Sequence, residues 1–172
     1  MVIKRVKGPG RKQLEVALKN FMNSNKVGKV GWFKDAKYPD GTQVAGIAAL
    51  QEYGYTPRRI PPRPFFRPTI RAKQNEWKHL AFTLSKRIIA GSITPHDLLH
   101  KIGLKASGQV RKAISNLYTP ALAYSTIKAR INKTRLANKK GRYSRKDLGK
   151  LYKPLIDTGL MYGTLINVVE AE

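Results

Sequence analysis

Between Thr56 and Pro68 the chain carries Pro57, Pro61, Pro62, Pro64 and Pro68, and no other feature limits its fold as sharply. Each proline bars helix at its own position and disfavours it one residue earlier, so 56–68 is expected to be extended and polyproline-like. The same stretch carries Arg58, Arg59, Arg63 and Arg67 beside Phe65 and Phe66. It separates two regions in which regular structure is expected.

On its N-terminal side, residues 1–10 read as a flexible basic lead-in, and 11–172 as a single domain. Leu14, Ala17, Leu18, Phe21 and Met22 recur at helical spacing, and Asn23-Ser24-Asn25 ends that helix. A strand is expected over Val27–Phe33, with Val30 and Trp32 on one face. Tyr38-Pro39-Asp40-Gly41 has the chemistry of a turn. A short Ala-rich helix over 42–53 follows, with Gly54 as its C′ residue.

On its C-terminal side, Trp77, Leu80, Ala81, Leu84 and Ile88 predict a longer helix closing near Gly91. Thr94-Pro95-His96-Asp97 reads as an N-cap, a proline at N1 and an acid at N3. The helix it starts is expected to reach about Tyr118, with Leu99, Ile102, Ala106, Val110, Ala113 and Leu117 on one face and Gly103 and Gly108 as points of kinking or division. A short helix over 125–134, a structured re-entry over 153–159 and a final strand over 165–169 complete an α+β architecture: a small antiparallel sheet with packed helices, plus extended proline-rich and basic arms.

Charge narrows the function. Lys and Arg number 34 against 10 Asp and Glu, a surplus of +24 that internal ion pairing leaves standing. Such a field repels copies of itself and attracts nucleic acid, acidic protein surface or phosphate. Within 128–153 there are eleven basic residues and one acid, Asp147. Residues 135–153 have few apolar anchors and read as a loop, arm or partner-ordered segment, with an extended reach of about 60 Å. Its Lys139, Lys140, Arg142, Arg145 and Lys146 read either as a solvated loop or as an anion-binding patch, which includes DNA. The absence of cysteine excludes a disulfide scaffold, a thiolate metal site and a cysteine nucleophile. No apolar run approaches the roughly 20 residues of a membrane helix, and the basic N-terminus leads into Gly8-Pro9-Gly10 rather than an apolar signal region. A soluble protein made in the cytoplasm, with no membrane partner, is expected.

Reactive groups are sparse. His96 and His100 stand at i, i+4, the spacing of a zinc-binding helix, but Asp97 replaces the general-base Glu of that motif and no third ligand is evident. The bland reading is a helix start with two surface histidines. Glu52, Asp97 and Asp157 each lie where capping or helix-dipole complementation accounts for an acid. Gly8-Pro9-Gly10-Arg11-Lys12 lacks the spacing of a phosphate loop. Neither an enzyme nor a cofactor is expected. Around Phe65 and Phe66, the readings are aromatics interleaved with arginines for stacking on bases, or rings that anchor the proline segment on the core with the arginines solvated.

Three segments in order carry a resemblance. Ala48-Ala49-Leu50-Gln51-Glu52-Tyr53-Gly54 precedes Ile60-Pro61-Pro62-Arg63-Pro64-Phe65-Phe66-Arg67-Pro68, and Pro154-Leu155-Ile156-Asp157-Thr158-Gly159-Leu160-Met161 leads into an apolar strand. Tyr118-Thr119-Pro120-Ala121-Leu122 and Ser125-Thr126-Ile127-Lys128-Ala129-Arg130 stand ahead of the last. The set resembles the tail-completion (neck, or tail-to-head joining) proteins of long-tailed bacteriophages and prophages, and the related virion morphogenesis proteins of Mu-like phages. The resemblance implies a non-enzymatic α+β subunit of a hexameric ring in the virion neck. That ring would join the tail to the DNA-filled head, between the head connector or stopper and the tail terminator or tail tube, with genomic DNA passing through the channel. Long middle helices and the basic insert depart from the shortest members. On this reading Arg58, Arg59, Arg63, Phe65, Phe66 and Arg67 form an inter-subunit or partner contact, and the +24 charge keeps the free chain a monomer or weak oligomer. The rival reading is a sequence-independent nucleic-acid-binding protein; tail terminator or minor tail protein are neighbouring roles.

Overall fold

A computed structural model describes residues 25–137 and 151–171, together with Lys12, Glu15, Val16 and Lys19. The lead-in 1–10, the apolar stripe expected over 14–22 and Lys139, Lys140, Arg142, Arg145 and Lys146 therefore lie outside the described residues. The fold is α+β, with a two-stranded antiparallel sheet and five described helices. In chain order these are β1 (Lys26–Gly31), α1 (Val44–Tyr53), α2 (Phe66–Ile89), α3 (Pro95–Asn116), α4 (Tyr124–Ala137), α5 (Leu160–Gly163) and β2 (Ile166–Ala171). The described residues fall into two compact units, drawn from Met1–Val30, Ala72–Ala106 and Asn167–Glu172 for the first, and from Gly31–Arg71 and Ser107–Ile166 for the second.

In the first unit, β1 pairs with β2, and Lys29 Nζ meets Glu170 Oε2 at 2.6 Å across the pair. Leu84 and Ile88 of α2 and Leu98 of α3 are buried together, flanked by Leu80, Ile93, Leu99 and Ile102. The turn joining the two helices is set by local chemistry. Gly91 takes φ +70°, and its N–H and that of Ser92 close the end of α2. Thr94 Oγ1 then accepts from the Asp97 amide while Asp97 Oδ2 accepts from the Thr94 amide, a reciprocal capping box that starts α3.

Helix α3 differs from expectation in two ways. It runs unbroken through Gly103 and Gly108, and its buried line is Leu98, Gly103, Ala106, Ser107, Val110 and Ile114, which shares only Ala106 and Val110 with the predicted stripe. Leu99, Ile102, Ala113 and Leu117 flank that line, half-buried. The cause at Gly103 is close approach: a Cβ there would lie 2.8 Å from the Cβ of Asn167 in β2. A small residue thus marks a contact face that apolar periodicity assigns to larger neighbours.

In the second unit, the Gly41 amide donates to Tyr38 O at 2.9 Å and Gly41 takes φ +83°, so the Tyr38–Gly41 turn forms where its sequence predicts. α1 follows and packs on α5. Gly54 ends α1 at φ +78°, and a Cβ there would fall 2.8 Å from the Pro62 nitrogen. Val44, Ala48, Phe65, Val110, Ile114, Leu151, Leu155, Met161 and Leu165 supply the buried apolar residues.

The proline-rich stretch is less extended than expected. Thr56–Arg58 forms a 3-10 turn with Pro57 in its first positions, and α2 already begins at Phe66 with Pro68 inside its first turn. Pro is tolerated there because the amides of the first turn have no acceptor four residues back. Only Pro61–Phe65 lacks regular or turn structure.

Candidate functional site

The second unit gathers the motif residues around Gln51 and Glu52. Glu52 shares the buried side of α1 with Val44 and Ala48, at intervals of one helical turn. Its carboxylate does not serve its own helix. Oε2 accepts the amides of Phe65 (2.7 Å) and Phe66 (2.9 Å), and Oε1 accepts the amide and Nε of Arg67, each at 3.1 Å. An anion is thereby held against the positive end of α2, where amides lack intrahelical acceptors. Burial pushes the Glu52 pKa up, but the amides of Phe66, Phe65 and Arg67 and the Arg67 guanidinium outweigh it and hold the carboxyl below its ordinary value. The signal in the sequence was an acid on an apolar helical stripe.

Arg63 is 4% exposed, which settles its role within the chain. Its amide donates to Gln51 O at 2.7 Å. Its guanidinium donates through Nη1 to Gln51 Oε1 (3.0 Å), through Nε to Pro120 O (2.9 Å) and through Nη2 to Ala121 O (3.0 Å). The solvated arginine of the anchoring reading is corrected at this position: planar, multiply donating guanidinium chemistry ties α1 to the Thr119–Ala121 loop. Burial, and secondarily the field of Arg130, lower the Arg63 pKa from an ordinary value so high that the group stays charged at neutral pH.

Phe65 is buried, and Phe66 half-buried beside it. Trp32 lies edge-on to Phe65 with centroids 6.0 Å apart and 6.1 Å from Phe66, while its indole N–H donates to Met161 O at 2.8 Å. Both phenylalanines are anchors within the chain. Arg58, Arg59 and Arg67 are exposed, and the Arg67 guanidinium lies 4.3 Å above the Tyr53 ring.

Arg130 performs a similar tying role that the sequence reading merged into general basicity. Its Nη1 lies within hydrogen-bond distance of Lys153 O (2.8 Å), Ile156 O (3.1 Å) and Leu151 O (3.4 Å), and its Nε is 3.5 Å from Asp157 Oδ1. Burial lowers the Arg130 pKa, against the opposing field of Asp157. A cleft of about 440 Å³ opens beside this node, lined among others by Tyr38, Gln51, Arg58, Arg130, Asp157 and Thr158. Burial, then the fields of Asp157 and Asp40, raise the Tyr38 pKa. The cleft presents both charge signs to a ligand.

In the first unit, the His96 and His100 rings stack with centroids 6.2 Å apart, and His100 Nδ1 lies 3.1 Å from Asn167 Nδ2. Among the described residues, no group of three His, Cys, Asp or Glu side chains is placed to hold a metal. No family model, curated protein or solved structure matches this chain. What the geometry offers is a set of tied segments and exposed arginines.

Proposed function

We propose that the chain is a structural virion protein of the head–tail interface of a long-tailed phage. It acts by assembly contacts in a ring, itself its first partner, with the head connector or stopper and the tail terminator or tail tube as neighbours. The observation that carries this reading is the convergence of the three segments that resemble tail-completion proteins. Gln51 bonds Arg63 through both backbone and side chain, Glu52 caps the helix opening at Phe66, and Gln51 lines one cleft with Pro154, Leu155, Asp157, Thr158 and Gly159. Segments some hundred residues apart thus serve one architectural node, as an ordered motif set of a common fold should. The node itself consumes Arg63 and Phe65, which leaves Arg58, Arg59 and Arg67 for contact with partners. The basic residues Lys139, Lys140, Arg142, Arg145 and Lys146 complete the reading as a DNA- or anion-facing patch. The +24 charge also supports the rival, a sequence-independent nucleic-acid binder.

An early stop codon in the encoding phage genome tests the proposal by electron microscopy of the lysate. Separate DNA-filled heads and full-length tails are expected. Intact infectious particles would remove the neck reading, and sub-micromolar duplex binding that falls steeply with salt would then establish the rival.

A further inference from the structure

Arg59 is the one described residue other than glycine that takes positive φ, at 52° with ψ 36°. A Cβ crowds the backbone in this left-handed region, which turns ordinarily give to Gly, Asn or Asp. The conformation is enforced from both sides. The Tyr55 amide donates to Ile60 O at 2.9 Å and the Ile60 amide returns to Tyr55 O at 3.0 Å, closing the loop at its base. Inside it, the Arg59 amide donates to Thr56 O at 2.9 Å, and Pro57 fixes φ in the 3-10 turn. The loop displays Arg58 and Arg59, both exposed, and neither side chain has a hydrogen bond or ion pair among the described residues. Arg58 borders the cleft, yet the two carboxylates there are engaged elsewhere, Asp40 by the Thr42 amide and Asp157 by Arg130.

We infer that the closed Tyr55–Ile60 loop is a preorganised two-arginine contact for a carboxylate-bearing surface of an acidic protein partner. The inference rests on the assembly role proposed above and names the chemistry of the partner. Strain retained at an exposed tip serves no packing purpose, whereas a rigid tip loses little freedom on binding. Two planar donor forks at one fixed point suit discrete carboxylates. Nucleic acid would be met by cations spread along its backbone and by open aromatic faces, and Arg67 takes one face of the nearby Tyr53 ring. A second copy of this chain is a poor occupant, since each brings 34 basic against 10 acidic residues.

The test is fluorescence anisotropy of the full chain at physiological ionic strength, with a short labelled polyglutamate peptide as one probe and a short DNA duplex as the other. R58A/R59A is expected to weaken peptide binding about tenfold or more. The equal charge loss K112A/K128A, at exposed lysines outside the loop, is expected to change it less than about twofold. Arg59→Gly should weaken peptide binding without lowering Tm, because it removes the fork and the strain together. Equal losses in the two double variants, no peptide binding by the unaltered chain, a lower Tm in Arg59→Gly, or duplex binding that alone depends on Arg58 and Arg59 would each overturn the inference. A stop-codon lysate with intact particles would remove the virion role while leaving this binding result readable on its own.

Discussion

Glu52 Oε2 lies 2.7 Å from the backbone nitrogen of Phe65, a residue 13 positions further along the chain. One carboxylate thus fastens the last turn of α1 to the first turn of α2, and its remaining contacts go to Phe66 and Arg67. Glu52→Gln keeps an acceptor but loses the charge that strengthens these bonds, and should cost about 1–3 kcal/mol in urea denaturation. Glu52→Ala orphans all the bonded amides and should cost more.

Stability should also fall in acid through this group. The folded-state pKa of Glu52 is lowered, so its contribution is fully present above the ordinary value of 4.5 and is lost as pH falls through the folded value. Urea midpoints followed downward from neutral pH should drop more steeply below 4.5 in the unaltered chain than in Glu52→Gln.

Arg63→Lys should destabilise by about 2–4 kcal/mol although the charge is kept. An ammonium cannot span Gln51, Pro120 and Ala121 in the plane that the guanidinium uses. Chemical denaturation of Arg63→Lys beside Arg67→Lys gives the contrast, because Arg67 is exposed and its replacement should cost much less.

Three glycines should respond differently to alanine. Gly54→Ala combines φ +78° with a 2.8 Å contact to the Pro62 nitrogen and should be strongly destabilising. Gly103→Ala forces Asn167 to shift and should also destabilise. Gly108, inside α3 with nothing within 4 Å of a Cβ, should gain about 0.5–1 kcal/mol on becoming alanine. Thermal denaturation of the three variants checks the order.

Arg130→Gln removes the donors that hold the Leu151, Lys153 and Ile156 carbonyls. Limited proteolysis should then cut the 151–157 segment at least several-fold faster, with the cleavage site read by mass spectrometry.

What the sequence disclosed and what it concealed follow the range of each interaction. Thr94 with Asp97, Gly91 and the Tyr38–Gly41 turn act within a few residues, and each formed as its local chemistry predicts. Glu52 read as an acid at the end of its own helix because its partner, the opening of α2, is fixed only by the fold. Arg63 read as one of four similar arginines until burial separated it from Arg58, Arg59 and Arg67. Pro68 reads as a helix breaker by composition, whereas position within the first turn decides what a proline does. Arg130 was hidden among many basic neighbours, since composition cannot tell a solvated cation from one enclosed by carbonyls.

The Lys29–Glu170 pair joins positions 141 residues apart, which gives the protein a direction in time. During synthesis β1 leaves the ribosome well before β2 and waits, edges open, until the chain has been extended through Ala171. Loop closure over so long an interval costs only slightly more than over a short one, but it cannot begin before β2 has emerged. Every product truncated before Ile166 therefore lacks the sheet, and only a chain extended through β2 completes the first unit. The pairing makes the first unit wait on the synthesis of β2.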